Sequence, residues 1–150
     1  MTVFTSAEQL SAAVGAKFGP TPWFPVEQTR VDGFADVTED HQWVHVDTER
    51  AAAGPFGGTI SHGLLTLSLV PRFGALLFRV EFGSARINYG LDKVRFPSPV
   101  PVGARLRAHA EFLAFEPASR GDLLTTRFTI EIEHAAKPAC VAETLTLLLP

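Results

Sequence analysis

Polar and apolar positions alternate strictly from Ala104 to Leu113. Arg105, Arg107, His109 and Glu111 fall on one side, and Leu106, Ala108, Ala110 and Phe112 on the other. A period of two is that of a β-strand with one wet face. The same alternation sets Phe128, Ile130 and Ile132 against Arg127, Thr129, Glu131 and Glu133, and Ala139 to Leu149 supplies a further strand. Strands of this kind belong to an antiparallel sheet solvated on one face. Ser84 to Phe96 also reads as extended, but its apolar phase flips between Leu91 and Val94, which predicts a bulge near Gly90.

The first half of the chain follows a different rule. Ile60 to Phe78 (ISHGLLTLSLVPRFGALLF) is apolar around nearly its whole circumference. That predicts one long central helix buried on most sides, which Pro71 kinks or divides in two. Ser6 with Gln9 three residues on marks a capped helix start, and Gly15 ends that helix. Glu27 to Val37 suits a second helix with Val31, Phe34, Ala35 and Val37 inward, although Gly33 weakens it. A short turn of helix through Thr48 to Ala53 has Asp47 or Thr48 as its cap, and GPFGG beyond it is a loop. Trp23 to Val26 is too short and too Pro-broken for a central strand. One apolar helix and four or more strands predict a single α+β domain over residues 1–150.

Composition narrows the function classes. Apolar residues make up 46% and charged residues 19% of the 150 positions, which excludes intrinsic disorder. A net charge of -3 argues against a nucleic-acid partner, which calls for a basic surface. One cysteine, Cys140, excludes a disulfide framework and a multi-thiolate metal site. The most apolar stretch, Gly63 to Val70, ends at Pro71-Arg72, well short of the ~20 residues a membrane helix needs. The start, MTVFTSAEQL, shows no basic region leading into an apolar one, so a cytoplasmic location is expected.

Candidate chemistry concentrates in TEDHQWVHVD. Asp40 and His45 are five residues apart, so they fall on different sides of a regular helix and on opposite faces of a strand. They converge only if the chain between them turns, and a buried Trp43 would brace such a turn. A carboxylate and an imidazole brought together can act as base and acid on one water. The bland alternative is two solvated loop residues. His41 and His45 have the i, i+4 spacing of two metal ligands on a helix, but the position after the first histidine is Gln42, which cannot be a general base, so no metal is expected. Ser61-His62-Gly63 opens the apolar helix; the bland alternative makes Ser61 merely its N-cap and Gly63 a close-packing residue. A helix start offers unpaired N–H groups to a developing oxyanion, and Gly63 would let a carbonyl approach. A purely structural cap accounts for the same residues. From Ile60 to Phe78 there is no Asp or Glu, so no carboxylate base rides on that helix. Arg86, Lys93, Arg95, Arg105 and Arg107 are basic residues that could meet phosphates or simply be solvated.

FADVTEDHQWVHVDTERAAAGPFGGTISHG resembles the hydratase motif of the MaoC-like, or (R)-specific enoyl-CoA hydratase, family. Phe34-Ala35, Asp40, His45, Asp47, Ala51-Ala52 and Ser61-His62-Gly63 stand at the matching places, and INYGLDKVRFPSPVPVG is similar to the family's following segment. Gln42-Trp43 replaces the usual Asn-Pro, as in mycobacterial-type and nodulation-protein-N-like members. The resemblance covers roughly residues 27–149. It implies a hotdog fold, a curved antiparallel sheet wrapped around one helix, and a homodimer. It implies Asp40 and His45 as the catalytic pair, with Gly63, Ser61 and His62 at the oxyanion and substrate position. The expected substrate is an enoyl-CoA or related acyl thioester, with no cofactor besides the CoA that is part of it and with Lys93 and Arg95 as CoA contacts. A hotdog thioesterase and a non-catalytic acyl-CoA-binding module are the alternatives.

Overall fold

The computed structural model describes all 150 residues. Its largest element is an antiparallel sheet built where the period-two pattern runs. Strands β5 (Ala85–Arg95), β6 (Arg105–Ala118), β7 (Gly121–Ile132) and β8 (Cys140–Leu149) lie in the order β6-β7-β8-β5. Two very short strands, β2 (Lys17–Phe18) and β3 (Phe24–Pro25), both pair with the outer side of β6. The alternation holds in three dimensions: Leu106, Ala108, Ala110 and Phe112 are buried, as are Phe128, Ile130 and Ile132 across from them. The wet face carries paired charges instead. Arg105 binds Glu133, Arg107 meets Glu131 at 2.6 Å, and Arg127 meets Glu143 at 2.8 Å. These cross-strand partners occupy Arg105 and Arg107, so neither is left as a phosphate contact.

The concave face wraps around helices α5 (Gly63–Ser68) and α6 (Val70–Leu77). Phe73, Leu65, Leu69 and Leu77 bury themselves there, and the small Ala108, Ala110 and Ala142 let the helices come close to the strands. Of the two outcomes expected at Pro71, a kink or a division, the rod shows division into α5 and α6. It begins at Gly63 rather than Ile60, breaks at Leu69, and gives way to strand β4 (Phe78–Val80) at Phe78. Pro71 is the cause. It has no N–H for the bond back to Leu67, so it is accommodated in the first turn of a new helix. The rod is also less enclosed than its composition suggests, since Leu64 is 62% exposed and Leu76 is also open.

Helix α1 (Ala7–Ala12) is capped by Ser6, whose Oγ accepts the Gln9 N–H, while Gln9 reaches back to the Thr5 N–H. Helix α2 (Gln28–Thr38) buries Val31 and Ala35 but leaves Val37 81% exposed, against expectation, because Val37 lies on the outer side of its last turn. Strand β1 (Thr2–Phe4) pairs in parallel with β4, and a cluster of Phe4, Phe18, Phe78 and Phe112 closes that end of the sheet. β5 carries two register shifts, after Asn88 and after Leu91, on either side of Gly90. No helix is long and apolar enough to cross a membrane.

Candidate active site

The stretch between Asp40 and His45 does turn, and the cause is local. Glu39 caps α2 in the left-handed conformation (φ 60°) and redirects the chain. A four-residue helix, α3 (Trp43–Val46), follows at once and carries His45 inward. Asp47 caps the next helix, α4 (Thr48–Ala52), by accepting the Arg50 N–H at 3.0 Å. Trp43 is half-buried rather than buried: the Arg50 guanidinium lies over its ring at 4.4 Å, and a Cβ at Gly54 would meet the indole at 3.0 Å.

His45 is then locked from three directions. Its Nδ1–H donates to the Ile60 carbonyl at 2.7 Å, leaving Nε2 with a free lone pair. Its own carbonyl accepts from the Gln28 amide at 2.7 Å, and Gln28 in turn accepts the Thr59 hydroxyl at 2.6 Å. Residues 59–61 are themselves clamped, with Ile60 N–H on Val44 and Ser61 N–H on Val100. Bonding of the second imidazole nitrogen to a backbone carbonyl is what fixes ring orientation and tautomer.

His62 stacks on His45 with ring centroids 3.8 Å apart, and Phe34 packs on its other side at 4.9 Å. Its Nε2–H donates to the Asp40 carbonyl at 3.0 Å, and the Asp40 carboxylate stands 3.9 Å from the same nitrogen. The ring is 3% exposed, and its Nδ1 is the buried side-chain atom left without a partner. His62 thus braces the Asp40 turn from inside. Asp40, His45 and His62 each bring a donor atom within 4.8 Å of the others, close enough to share one small polar molecule. The turn brings Asp40 and His45 within 4.8 Å of each other. His41 does not join them; it turns outward and pairs with Asp36 at 2.9 Å.

Gly63 begins α5 beside this group, and no backbone carbonyl takes its N–H. The Phe96 ring packs so closely on Gly63 that a Cβ would meet it at 3.3 Å. The N-cap is His62, not Ser61. Ser61 is buried with its hydroxyl 3.3 Å from the His62 carbonyl, because its backbone is held in the bridge to residue 100. Lys93 and Arg95 lie exposed at the end of β5, with Arg95 donating to the Val94 carbonyl at 2.7 Å. Gln28, Thr59, the Ile60 carbonyl and Phe96 are site components that sequence reasoning missed. They act through backbone groups or long-range contacts that no local pattern marks.

The sequence profile of the MaoC-like domain matches residues 9–129. The chain belongs to the MaoC-like dehydratase family. A MaoC-like chain of this sort has relatives over its full length. It is 51% identical over 146 residues to 3-hydroxyacyl-thioester dehydratase Z of Mycobacterium tuberculosis, covering 97% of each. It is 42% identical over 148 residues to nodulation protein N of Rhizobium leguminosarum, covering 95% of this chain and 91% of that one. Among solved structures it is similar to the (R)-hydratase of A. caviae involved in PHA biosynthesis, at 26% identity and a TM-score of 0.72, covering 90% and 96%. The curled sheet around α5 and α6 is accordingly the hotdog fold of MaoC-like dehydratases, which are hydro-lyases of hydroxyacyl thioesters.

Proposed function

We propose that this chain is an (R)-specific enoyl-CoA hydratase, running reversibly as a (3R)-hydroxyacyl-CoA dehydratase through Asp40 and His45. One observation carries the reading: the Asp40 carboxylate and a ring nitrogen of an anchored His45 converge within 4.8 Å, next to the unclaimed N–H of Gly63. The (R) assignment draws on likeness to the A. caviae (R)-hydratase, and the thioester substrate on the 3-hydroxyacyl-thioester dehydratase among the relatives.

In hydration, the thioester oxygen accepts the Gly63 N–H while a water sits between the Asp40 carboxylate and His45 Nε2. The water oxygen bonds to C3 as the C2–C3 π pair moves toward C1, and negative charge gathers on the thioester oxygen. A donor already aimed at that oxygen stabilises the charge without reorganisation. The dyad takes one proton from the water and returns one to C2, which restores the carbonyl. Dehydration reverses each step. The CoA thioester itself acidifies C2. Lys93 and Arg95, at the end of β5 just before the Phe96 that covers Gly63, would meet the phosphates of CoA.

The working unit is a homodimer. β5 is an eleven-residue edge strand with Ile87, Tyr89 and Leu91 exposed, and an open apolar edge of that length is normally paired or covered. Sedimentation should give twice the chain mass, and Ile87→Lys should shift it toward one chain.

A hydration assay over a chain-length series of trans-2-enoyl-CoA, with the product's configuration determined, tests the activity. Formation of (3R)-hydroxyacyl-CoA supports it. An (S) product, or release of free CoA thiol in place of hydration, overturns it, the latter in favour of a thioesterase.

A further inference from the structure

A sheet face packed on a helix is ordinarily apolar along its whole length. Here it is apolar at its two ends, where Leu106, Ala108 and Ile130 cluster with Phe73 and where Phe112, Leu124 and Leu148 cluster with Phe4, and it is polar between them. Between these clusters Thr126 of β7 stands across from Thr144 of β8, and Asn88 of β5 across from Thr146 of β8. These four side chains line a cavity of about 580 Å³, whose opposite wall is Gly74 and Ala75 of α6. A second cavity of about 310 Å³ adjoins it, lined by Leu67, Ser68, Leu91 and Leu145, and the two share Val70, Pro71, Asn88 and Thr144.

The pair of cavities runs along α5 and α6 beyond Asp40, His45 and Gly63, none of which lines either one. Leu67 and Ser68 stand one turn beyond Gly63 and Leu64, Pro71 two turns, and Gly74 three turns. Leu67, Leu91 and Leu145 line the first stretch, and the second sets the threonines and Asn88 against Phe78, Leu124 and Phe128. Strand preference does not account for the threonines, because valine has nearly the same shape and an equal preference for strands. A buried hydroxyl is unfavourable unless something hydrogen-bonds to it, and Thr126 is 2% exposed; the Thr144 hydroxyl donates to the Thr126 carbonyl at 3.2 Å, which leaves its lone pairs to accept, and Asn88 is open to solvent.

We propose that this channel accepts acyl groups that carry a neutral oxygen function, a hydroxyl, ketone or amide, well along the chain from the thioester. The proposal rests on the hydratase reading of the Asp40–His45 site and adds the substrate class. Thr and Asn both donate and accept, which suits a neutral oxygen group better than a pure acceptor. The charges at the far rim are engaged already: Arg79 pairs with Glu81 at 2.9 Å, and Arg86 donates to the Val80 carbonyl. From Gly63 to Pro71 is about 12 Å at helical rise, so the oxygen lies far beyond a four-carbon acyl group.

The test compares the ten-carbon trans-2-enoyl-CoA with and without a terminal hydroxyl, and with a terminal carboxylate, by kcat/KM and by calorimetric Kd. A hydroxyl that gains one good hydrogen bond should be favoured about 5- to 10-fold in both readouts. Thr144→Val, with Asn88→Leu as a second variant, should reduce that ratio toward one. Equal binding of the hydroxylated and plain chains, or preference for the carboxylate, overturns the proposal. If crotonyl-CoA is hydrated and the ratio is one, the channel proposal falls alone. If no enoyl-CoA is hydrated, the hydratase reading falls, and the Kd comparison still decides the channel.

Discussion

The imidazole of His45 lies nearly flat on that of His62, with centroids 3.8 Å apart and planes 26° from parallel. Each ring donates one N–H to a backbone carbonyl, His45 to Ile60 and His62 to Asp40. The two rings therefore tie the two arms of the site together: the Asp40 turn is held by a residue at the start of α5, and α3 is held by the segment just before it.

Asp40→Asn and His45→Gln should each fold normally and lose at least ~100-fold in kcat for crotonyl-CoA hydration, the size of a general acid–base contribution. Circular dichroism and initial rates check both halves of that statement. Undiminished turnover in either variant removes that residue from the mechanism.

His62→Phe separates bracing from chemistry. Phenylalanine keeps a ring stacked on His45 but deletes the bond to the Asp40 carbonyl, a loss of about 1 kcal/mol. It also removes the buried, partnerless Nδ1, which recovers a similar amount. Urea unfolding should thus move by less than about 1 kcal/mol, whereas kcat should fall on the order of 10-fold as the Asp40 turn loosens. Wild-type turnover in this variant would show that the turn needs no brace.

Much of this was legible beforehand, and the reasons are physical. The long strands declare themselves because one face is wet: Arg105 to Phe112 must alternate to bury Leu106 and Ala110. β1, β2 and β4 are two or three residues long, too short to show any period. The division of the central rod was foreseeable from Pro71, but its place at Leu69 depends on which turn accommodates the proline. At the site, spacing alone left Asp40 and His45 apart; resemblance joined them, and the left-handed Glu39 supplies the cause. Gln28 stayed hidden because it acts across 17 residues on the His45 carbonyl.

Acid stability should depend on Glu131. The Arg107 guanidinium, bonded at 2.6 Å, holds its carboxyl below the ordinary range; partial burial opposes this, and the charge of His109 adds to the lowering. A carboxyl lowered on folding contributes stability that is full above its unfolded value, near 4.5, and is lost as pH falls through the folded one. Unfolding free energies of wild type and Glu131→Gln should therefore converge as the pH drops from about 6 to about 3. A gap that stays constant across that range contradicts the linkage.

Cys140 should be inert while the protein is folded. The residue is fully buried in the core, and burial pushes its thiol up to about 11. At pH 8 almost none of it is the reactive thiolate. A thiol reagent such as DTNB should label less than a tenth of native protein over minutes and all of it in guanidinium chloride; rapid native labelling would mean that β8 opens readily.

The interruption at Leu69 divides labour along the rod. The piece before it starts at Gly63, beside Asp40 and His45, and the piece after it walls the larger hollow. Amino-acid changes between Val70 and Leu77 can remodel what fits in the hollow while the reacting groups keep their positions. A lineage could exchange one fatty chain for another this way without relearning how to add water.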